Sequence, residues 1–254
     1  MIIQHSLALL VGLAFTVSFV DVVFGMGYGT ILTPILIVLG VSPLKAVSAV
    51  VFSQLIGSIP TIILHHRARN VNLKWGSMDL KVALVLGLSG FIAPILAYVI
   101  AINVPVFYMK MYLSLLLLVM GLIILSNALK NIKFSWGKIV LLSFIAGFNK
   151  GFTGGGYGPI VTSGQILSGV RVRNAIAITP LARMIACIVT VVAYATGGIL
   201  GLDLALPLTL GVLLSSPIAV YTVRKSKSLY LKKGIGTITL TLGILVLVKT
   251  VFVL

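Results

Sequence analysis

Hydrophobic residues run along this chain in long blocks, which short charged or Gly/Pro-rich breaks separate from one another. We interpret the blocks as ten helical segments, and they leave no room for a soluble domain. The segments cover residues 6–24, 27–40, 46–64, 80–101, 107–128, 139–150, 157–168, 175–196, 205–222 and 234–253. Six of them reach or approach the length of about 20 residues that a membrane-spanning helix needs. Segments 27–40, 139–150 and 157–168 are too short to span and are predicted to be half-helices.

The composition points to the same class of protein. Of the 254 residues, 59% are hydrophobic and only 9% are charged, whereas a soluble domain carries about 25% charged residues. The apolar run over residues 7–23 has no Lys or Arg before it and no convincing cleavage site after it. We therefore expect it to belong to the mature membrane domain and the protein to be a multi-pass protein of the cell membrane.

The charges are strongly unequal, with 19 Lys and Arg against three acids and no Glu. The three acids are Asp21, Asp79 and Asp203. So few carboxylates, with scattered histidines, indicate neither an enzyme nor a site for a metal or a cofactor. The cations cluster between apolar blocks, as cytoplasmic loops do, which argues against nucleic acid as a partner. The loops at Arg67, Lys133 and Arg224 are predicted inside, and both termini are predicted outside.

An internal repeat relates the two halves of the chain. One constant offset in the numbering places Gly27-Tyr28-Gly29 on Gly156-Tyr157-Gly158 without a gap, and we call it the repeat offset. Residues 1–128 and 129–254 then form two repeats of five segments each, in one membrane domain. Residues 41–45 fall outside while their counterparts 170–174 fall inside, so the repeats are inverted, as in many secondary transporters. The predicted fold is an all-α integral membrane protein with two inverted-topology repeats and broken or re-entrant half-helices.

Glycine clusters interrupt the helices at equivalent places in the two repeats. Glycine allows positive φ and close approach of a ligand, and the helix that follows offers free N–H groups and a positive dipole end. This pattern is typical of the substrate site of a transporter and favours an anion. Close helix packing through small residues is the alternative. The candidate substrate-binding residues here are Gly25, Gly27, Tyr28, Gly29, Gly154, Gly155, Gly156 and Tyr157.

Charged residues inside apolar segments extend this candidate site. Lys150 and Arg183, the latter just after a predicted break at Thr179-Pro180, would each cost about 2.5 to 3.5 kcal/mol in the bilayer, so we expect them to face a polar cavity. Their repeat counterparts are Asp21 and Gln54. Gln54, Lys150 and Arg183 are therefore further substrate-binding candidates. Asp21 is the candidate coupling residue, because an anion bound to the cations would let it take up a proton. A permanent Asp21–Lys150 ion pair is the structural alternative.

Each glycine-rich break is followed by a short helix, a Gly-Val turn and a run with Ala, half a chain apart. In a small basic membrane protein this pattern resembles the sulfite exporter TauE/SafE family. The resemblance implies a secondary transporter of small sulfur-containing anions, of the sulfite or organosulfonate type, that exports them by alternating access. Met26 stands where the second repeat has Gly155. The expected partners are the anion, the bilayer and protons as a candidate coupling ion, while the oligomeric state stays open. A passive anion channel or a lipid-handling membrane protein is the alternative function.

Overall fold

The computed structural model describes residues 7–101, 106–126, 133–153, 157–196, 198 and 200–252, which form ten α-helices and no strand. The helices are α1 (Leu7–Phe24), α2 (Tyr28–Val38), α3 (Pro43–Arg67), α4 (Met78–Ala101), α5 (Val106–Leu125), α6 (Trp136–Thr153), α7 (Tyr157–Leu167), α8 (Val172–Thr196), α9 (Leu202–Lys225) and α10 (Ser228–Phe252). Five are long and apolar enough to cross a membrane among the described residues, namely α1, α8, α9, Lys45–Arg67 of α3 and Ser228–Val248 of α10.

Helix lengths repeat along the chain. Helices α1, α2 and α3 contain 18, 11 and 25 residues, and α6, α7 and α8 have the same three lengths. Each of the second three begins at the repeat offset from its counterpart, so that Tyr28 at the start of α2 corresponds to Tyr157 at the start of α7. The helix packing repeats as well, because α1 packs against α9 and its counterpart α6 packs against α4. The counterparts α3 and α8 contact each other.

The turns before α3 and α8 lie at opposite ends of the protein. Helix α3 has 25 residues and is therefore about 37 Å long. Near its start, Lys45 contacts Asp203 at the beginning of α9. At its other end, Arg67 shares a cavity with Asn174, which lies near the start of α8. We call these the Lys45 end and the Arg67 end.

Two predictions about individual segments were wrong. Helix α6 covers Trp136–Thr153 and is as long as α1, so it is not the half-helix predicted over 139–150. The charges of Lys138 and Lys150 suggested that the helix begins and ends near these residues. The helical backbone hydrogen bonds continue through both positions, because they do not depend on the polarity of the side chains. Pro180 does not break α8, which runs without interruption from Val172 to Thr196. Transmembrane helices tolerate proline because neighbouring groups satisfy the backbone atoms that it leaves unpaired.

Helix α7 lies in the interior of the protein. Nine of its eleven residues are buried, including the polar residues Thr162, Ser163 and Gln165. Thr162 and Gln165 both bond to Thr179 of α8, at 2.9 and 3.1 Å. A short helix that is buried on all sides and bonded to its neighbours provides a fixed platform at the centre of the helix bundle.

Candidate functional site

The first glycine break touches the start of α7. Gly25 and Gly27 have φ values of 73° and 120°, which only glycine adopts without strain. The hydroxyl of Thr162 donates to the Gly25 carbonyl at 2.7 Å. A Cβ atom on Gly158 would lie 3.2 Å from the Gly25 oxygen and 3.2 Å from the Cα of Met26. The break between α1 and α2 therefore meets the first turns of α7 directly.

A buried ion pair lies beside this meeting point. Nη1 of Arg183 donates to both carboxylate oxygens of Asp21, at 2.6 and 2.9 Å. The two residues are only 7% and 3% exposed. Each charge loses most of its hydration there, and removing one partner would leave the other buried without compensation. The pair joins α1 to α8, and the Asp21–Lys150 pair that the sequence offered as a structural alternative involves a side chain outside the described residues.

The Asp21 carboxylate also occupies the N-terminus of α2. The backbone N–H of Tyr28, the first residue of α2, donates to Oδ1 of Asp21 at 3.2 Å. The Tyr28 hydroxyl forms a 2.9 Å hydrogen bond with Ser53 of α3. The positive end of the first short helix, for which we expected a substrate anion, thus binds a carboxylate of the chain itself.

A small cavity adjoins the ion pair. Its volume is about 50 Å³, enough for a few water molecules or a small anion, since one water needs roughly 10 to 15 Å³ by this measure. Most of the predicted site residues line it: Asp21, Gly27, Tyr28, Gly29, Gln54, Tyr157 and Arg183. Nε of Arg183 is buried and has no hydrogen-bond partner among the described residues. The cavity therefore lies beside a neutralised charge pair whose guanidinium has one nitrogen without a hydrogen-bond partner among the described residues.

The remaining predicted residues stand apart from this cavity in different ways. Gly25 does not line it but shapes the break next to it. Gly154, Gly155 and Gly156 lie outside the described residues, as does the side chain of Lys150.

The two short helices differ in what can neutralise their N-termini. The position equivalent to Asp21 in the second repeat is Lys150. The other two acids of the chain lie at its two ends, Asp203 at the Lys45 end and Asp79 at the Arg67 end. The chain therefore has no side-chain carboxylate left for the N-terminus of α7, which borders the cavity through Tyr157 and Gly158.

Those two outer aspartates form equivalent contacts that the sequence analysis missed. Lys45 donates to Asp203 at 2.6 Å, which joins the starts of α3 and α9. Asn174 donates to both oxygens of Asp79 at 3.0 and 2.9 Å, which joins the starts of α8 and α4. Asn174 is the repeat counterpart of Lys45, and each aspartate is the second residue of its helix. The repeat offset relates Lys45 to Asn174, but it places Asp79 on Leu208 and not on Asp203, so it could not have revealed the partners in these pairs.

An all-helical bundle with several membrane-crossing helices, and an ion pair buried beside a broken helix, has the architecture of a membrane transporter. The family model of the sulfite exporter TauE/SafE matches residues 10–246. The chain belongs to the sulfite exporter TauE/SafE family.

A curated relative supports this assignment. The chain is 27% identical over 152 residues to the Probable membrane transporter protein YtnM of Bacillus subtilis (strain 168). The alignment covers 56% of the chain and 48% of that relative, so the chain spans about half the length of the curated protein that it matches. No solved structure matched the chain at a significant level.

Proposed function

We propose that the protein is a secondary transporter that exports small sulfur-containing anions, of the sulfite or organosulfonate type, by alternating access. The family supports the class of substrate. The observation that carries the proposal is the Arg183–Asp21 pair, buried beside a small cavity where the first break meets α7. A buried cation is costly in a membrane protein and is typical of a substrate or ion pathway.

In this proposal the anion binds between Arg183 and the N-terminus of α7. Two observations support the position: Nε of Arg183 has no partner among the described residues, and the chain has no carboxylate left for this helix end. Gln54 lines the same space, where its side-chain amide can donate a further hydrogen bond, and Tyr157 lines it as the first residue of α7. Lys150, at the position equivalent to Asp21, supplies the positive charge that remains once Asp21 neutralises Arg183.

Asp21 is the proposed coupling residue because it competes with the substrate for Arg183. As a carboxylate, it accepts both hydrogen bonds of the Arg183 Nη1 group. Once protonated, it no longer neutralises the guanidinium, and a substrate anion gains from the freed charge. Anion and proton therefore favour each other's binding, which is a coupling between two sites of the kind that symport requires.

Alternating access is proposed to involve two inverted repeats, residues 1–128 and 129–254. The equal helix lengths and the opposite positions of the turns before α3 and α8 support this division. The Lys45–Asp203 and Asn174–Asp79 contacts would then hold the two ends of the protein closed. Because each contact joins the starts of two helices, opening one end breaks one contact and leaves the other intact.

Transport by the purified protein in proteoliposomes tests the proposal. Sulfite, sulfate, thiosulfate or an organic sulfonate is placed in turn at equal concentration inside and outside, and net flux is measured with and without a pH gradient. We expect a sulfur oxyanion to move against its own gradient when a pH gradient is imposed. Movement only down the anion gradient would instead indicate a passive channel, and no flux of any of these anions would contradict the proposed substrate class.

Asp21→Asn tests the coupling step separately. An amide cannot carry the transported proton, so exchange of labelled for unlabelled substrate should persist while accumulation driven by pH is lost. Asp203→Asn is the comparison variant, because it makes the same chemical change at the Lys45 end, away from Arg183; weakening that proposed closing contact should change accumulation and exchange together. The ratio of pH-driven accumulation to exchange should stay at the wild-type value in that control. A wild-type ratio in folded Asp21→Asn protein would show that Asp21 is not the coupling residue.

A further inference from the structure

A second polar cavity, much larger than the central one, opens at the Arg67 end. Its volume is about 740 Å³, within the range of roughly 300 to 1,000 Å³ that is typical of ligand sites. The loop between α3 and α4 forms one wall, and the turn before α8 forms another. Five cations line it: Arg67, Arg69, Lys74, Arg171 and Arg173.

These cations have no carboxylate partner among the described residues. Asp79 is the acid that lines the cavity, and it already accepts from the Asn174 side chain and from the backbone N–H of Asn72 at 2.8 Å. The two ion pairs found in the described part of the chain involve other cations, Lys45 and Arg183. The cavity therefore holds a large excess of positive charge that the described chain does not neutralise.

The walls of the cavity are held in place by buried hydrogen bonds. Asn70 is buried, and its side chain donates to the Val220 carbonyl of α9 at 3.2 Å. Nη2 of Arg173 donates to the Ser226 carbonyl at 3.1 Å, while its Nε is buried without a hydrogen-bond partner among the described residues. Arg69 is fixed with a positive φ of 58°, which a residue other than glycine adopts at some cost. The backbone that carries these cations is thus held in a defined conformation.

Three helix N-termini border the same space. Asp79 of α4, Asn174 of α8 and Ser228 of α10 all line it, and each lies within the first three residues of its helix. The positive ends of these helix dipoles add to the charge of the arginines. Unpaired backbone N–H groups at helix starts are also suitable donors for the oxygens of a phosphate or sulfate group.

We propose that this basic cavity is a second anion site, which binds a tetrahedral phosphate or sulfate group. It is separate from the central cavity. Arg171, which lines the basic cavity, lies just before α8, and Arg183, which lines the central one, lies 12 positions later within α8. That spacing is about 18 Å along a helix. The proposal rests on the residues of the cavity and does not depend on which anion is transported. The group can come from a free inorganic anion or from the headgroup of an acidic lipid at the membrane surface.

Binding to the purified full-length protein tests the proposal with both sources. Inorganic phosphate and sulfate are titrated by calorimetry in detergent. Retention of phosphatidylglycerol against phosphatidylcholine is then measured in nanodiscs of mixed composition. Arg171→Gln removes one exposed cation of the cavity. Arg224→Gln is the matched control, since Arg224 is also exposed and lies at the end of α9 without lining the cavity. The double variant Asp21→Asn/Arg183→Gln removes the central charge pair as a unit.

The expected result is binding of the free anions, selective retention of phosphatidylglycerol, or both. Arg171→Gln should weaken it about tenfold, the effect of losing one hydrogen bond between charged groups. Arg224→Gln should leave it unchanged, and the double variant should leave phosphate and lipid binding unchanged while removing only the part of sulfate binding that belongs to the central cavity. Weaker binding of the free anions in Arg171→Gln identifies the inorganic anion as the source of the group. Weaker retention of the lipid alone in that variant identifies the lipid headgroup. Equal losses in Arg171→Gln and Arg224→Gln, binding abolished by the double variant, or no anion binding from either source would overturn the proposal.

Discussion

Replacing Asp21 by Asn leaves the buried guanidinium of Arg183 without its counter-charge. Removing one partner of a buried pair typically costs about 3 to 5 kcal/mol. The amide oxygen can still accept from Arg183 and from the Tyr28 N–H, so we expect a loss near the lower end of that range, about 3 kcal/mol, in the free energy of unfolding. Titration of the purified protein in mixed micelles with sodium dodecyl sulfate, followed by far-UV circular dichroism, measures this difference.

Asp203→Asn provides a control at the same distance but in a different environment. The Lys45–Asp203 pair is also 2.6 Å long, yet its side chains are 39% and 63% exposed. Water screens such a pair, so its loss should cost at most about 1 kcal/mol. The double variant Asp21→Asn/Arg183→Gln should be more stable than Asp21→Asn alone, because no uncompensated charge remains. Equal losses at Asp21 and Asp203, or a double variant no more stable than Asp21→Asn, would refute this reasoning.

Two further predictions concern the first break and the topology. Gly25→Ala should destabilise the protein by about 2 kcal/mol or more, since alanine resists a positive φ and its Cβ would lie 2.5 Å from the Thr162 hydroxyl. Gly12→Ala is the control, because a Cβ atom on Gly12 would have no neighbouring atom within 4 Å, and this variant should unfold at the wild-type detergent concentration. With the buried Cys187 replaced, a cysteine at Lys133 should react with an impermeant maleimide only after the cells are opened, and strong labelling of intact cells would contradict the proposed inverted repeats.

Local signals in the sequence were sufficient for part of the fold. Apolar runs and glycine clusters are short-range features, so the break at Gly25–Gly27 and the repeat offset could be read directly. The end of α6 could not, because Lys150 looks like a boundary although the helix continues to Thr153.

The partner of Asp21 could not be predicted for a different reason. Helices α1 and α8 are apolar around most of their circumference, so the sequence does not indicate which face turns toward which neighbour. The pairing of Asp21 with Arg183 is set by helix rotation and packing, which only the folded structure shows. The candidate residues were therefore identified individually, while their partners were not.

The pairing of Asp21 with Arg183 also bears on how the chain is made. The two residues are 162 positions apart, so at roughly 5 to 20 residues per second Asp21 is synthesised about 8 to 32 s before Arg183. During that interval Asp21 has no guanidinium to pair with, and the neutral acid is the form that hydrocarbon accepts more readily. A chain that stops before α8 keeps this acid uncompensated. We expect membrane quality control to degrade such truncated chains faster than truncated Asp21→Leu chains of the same length.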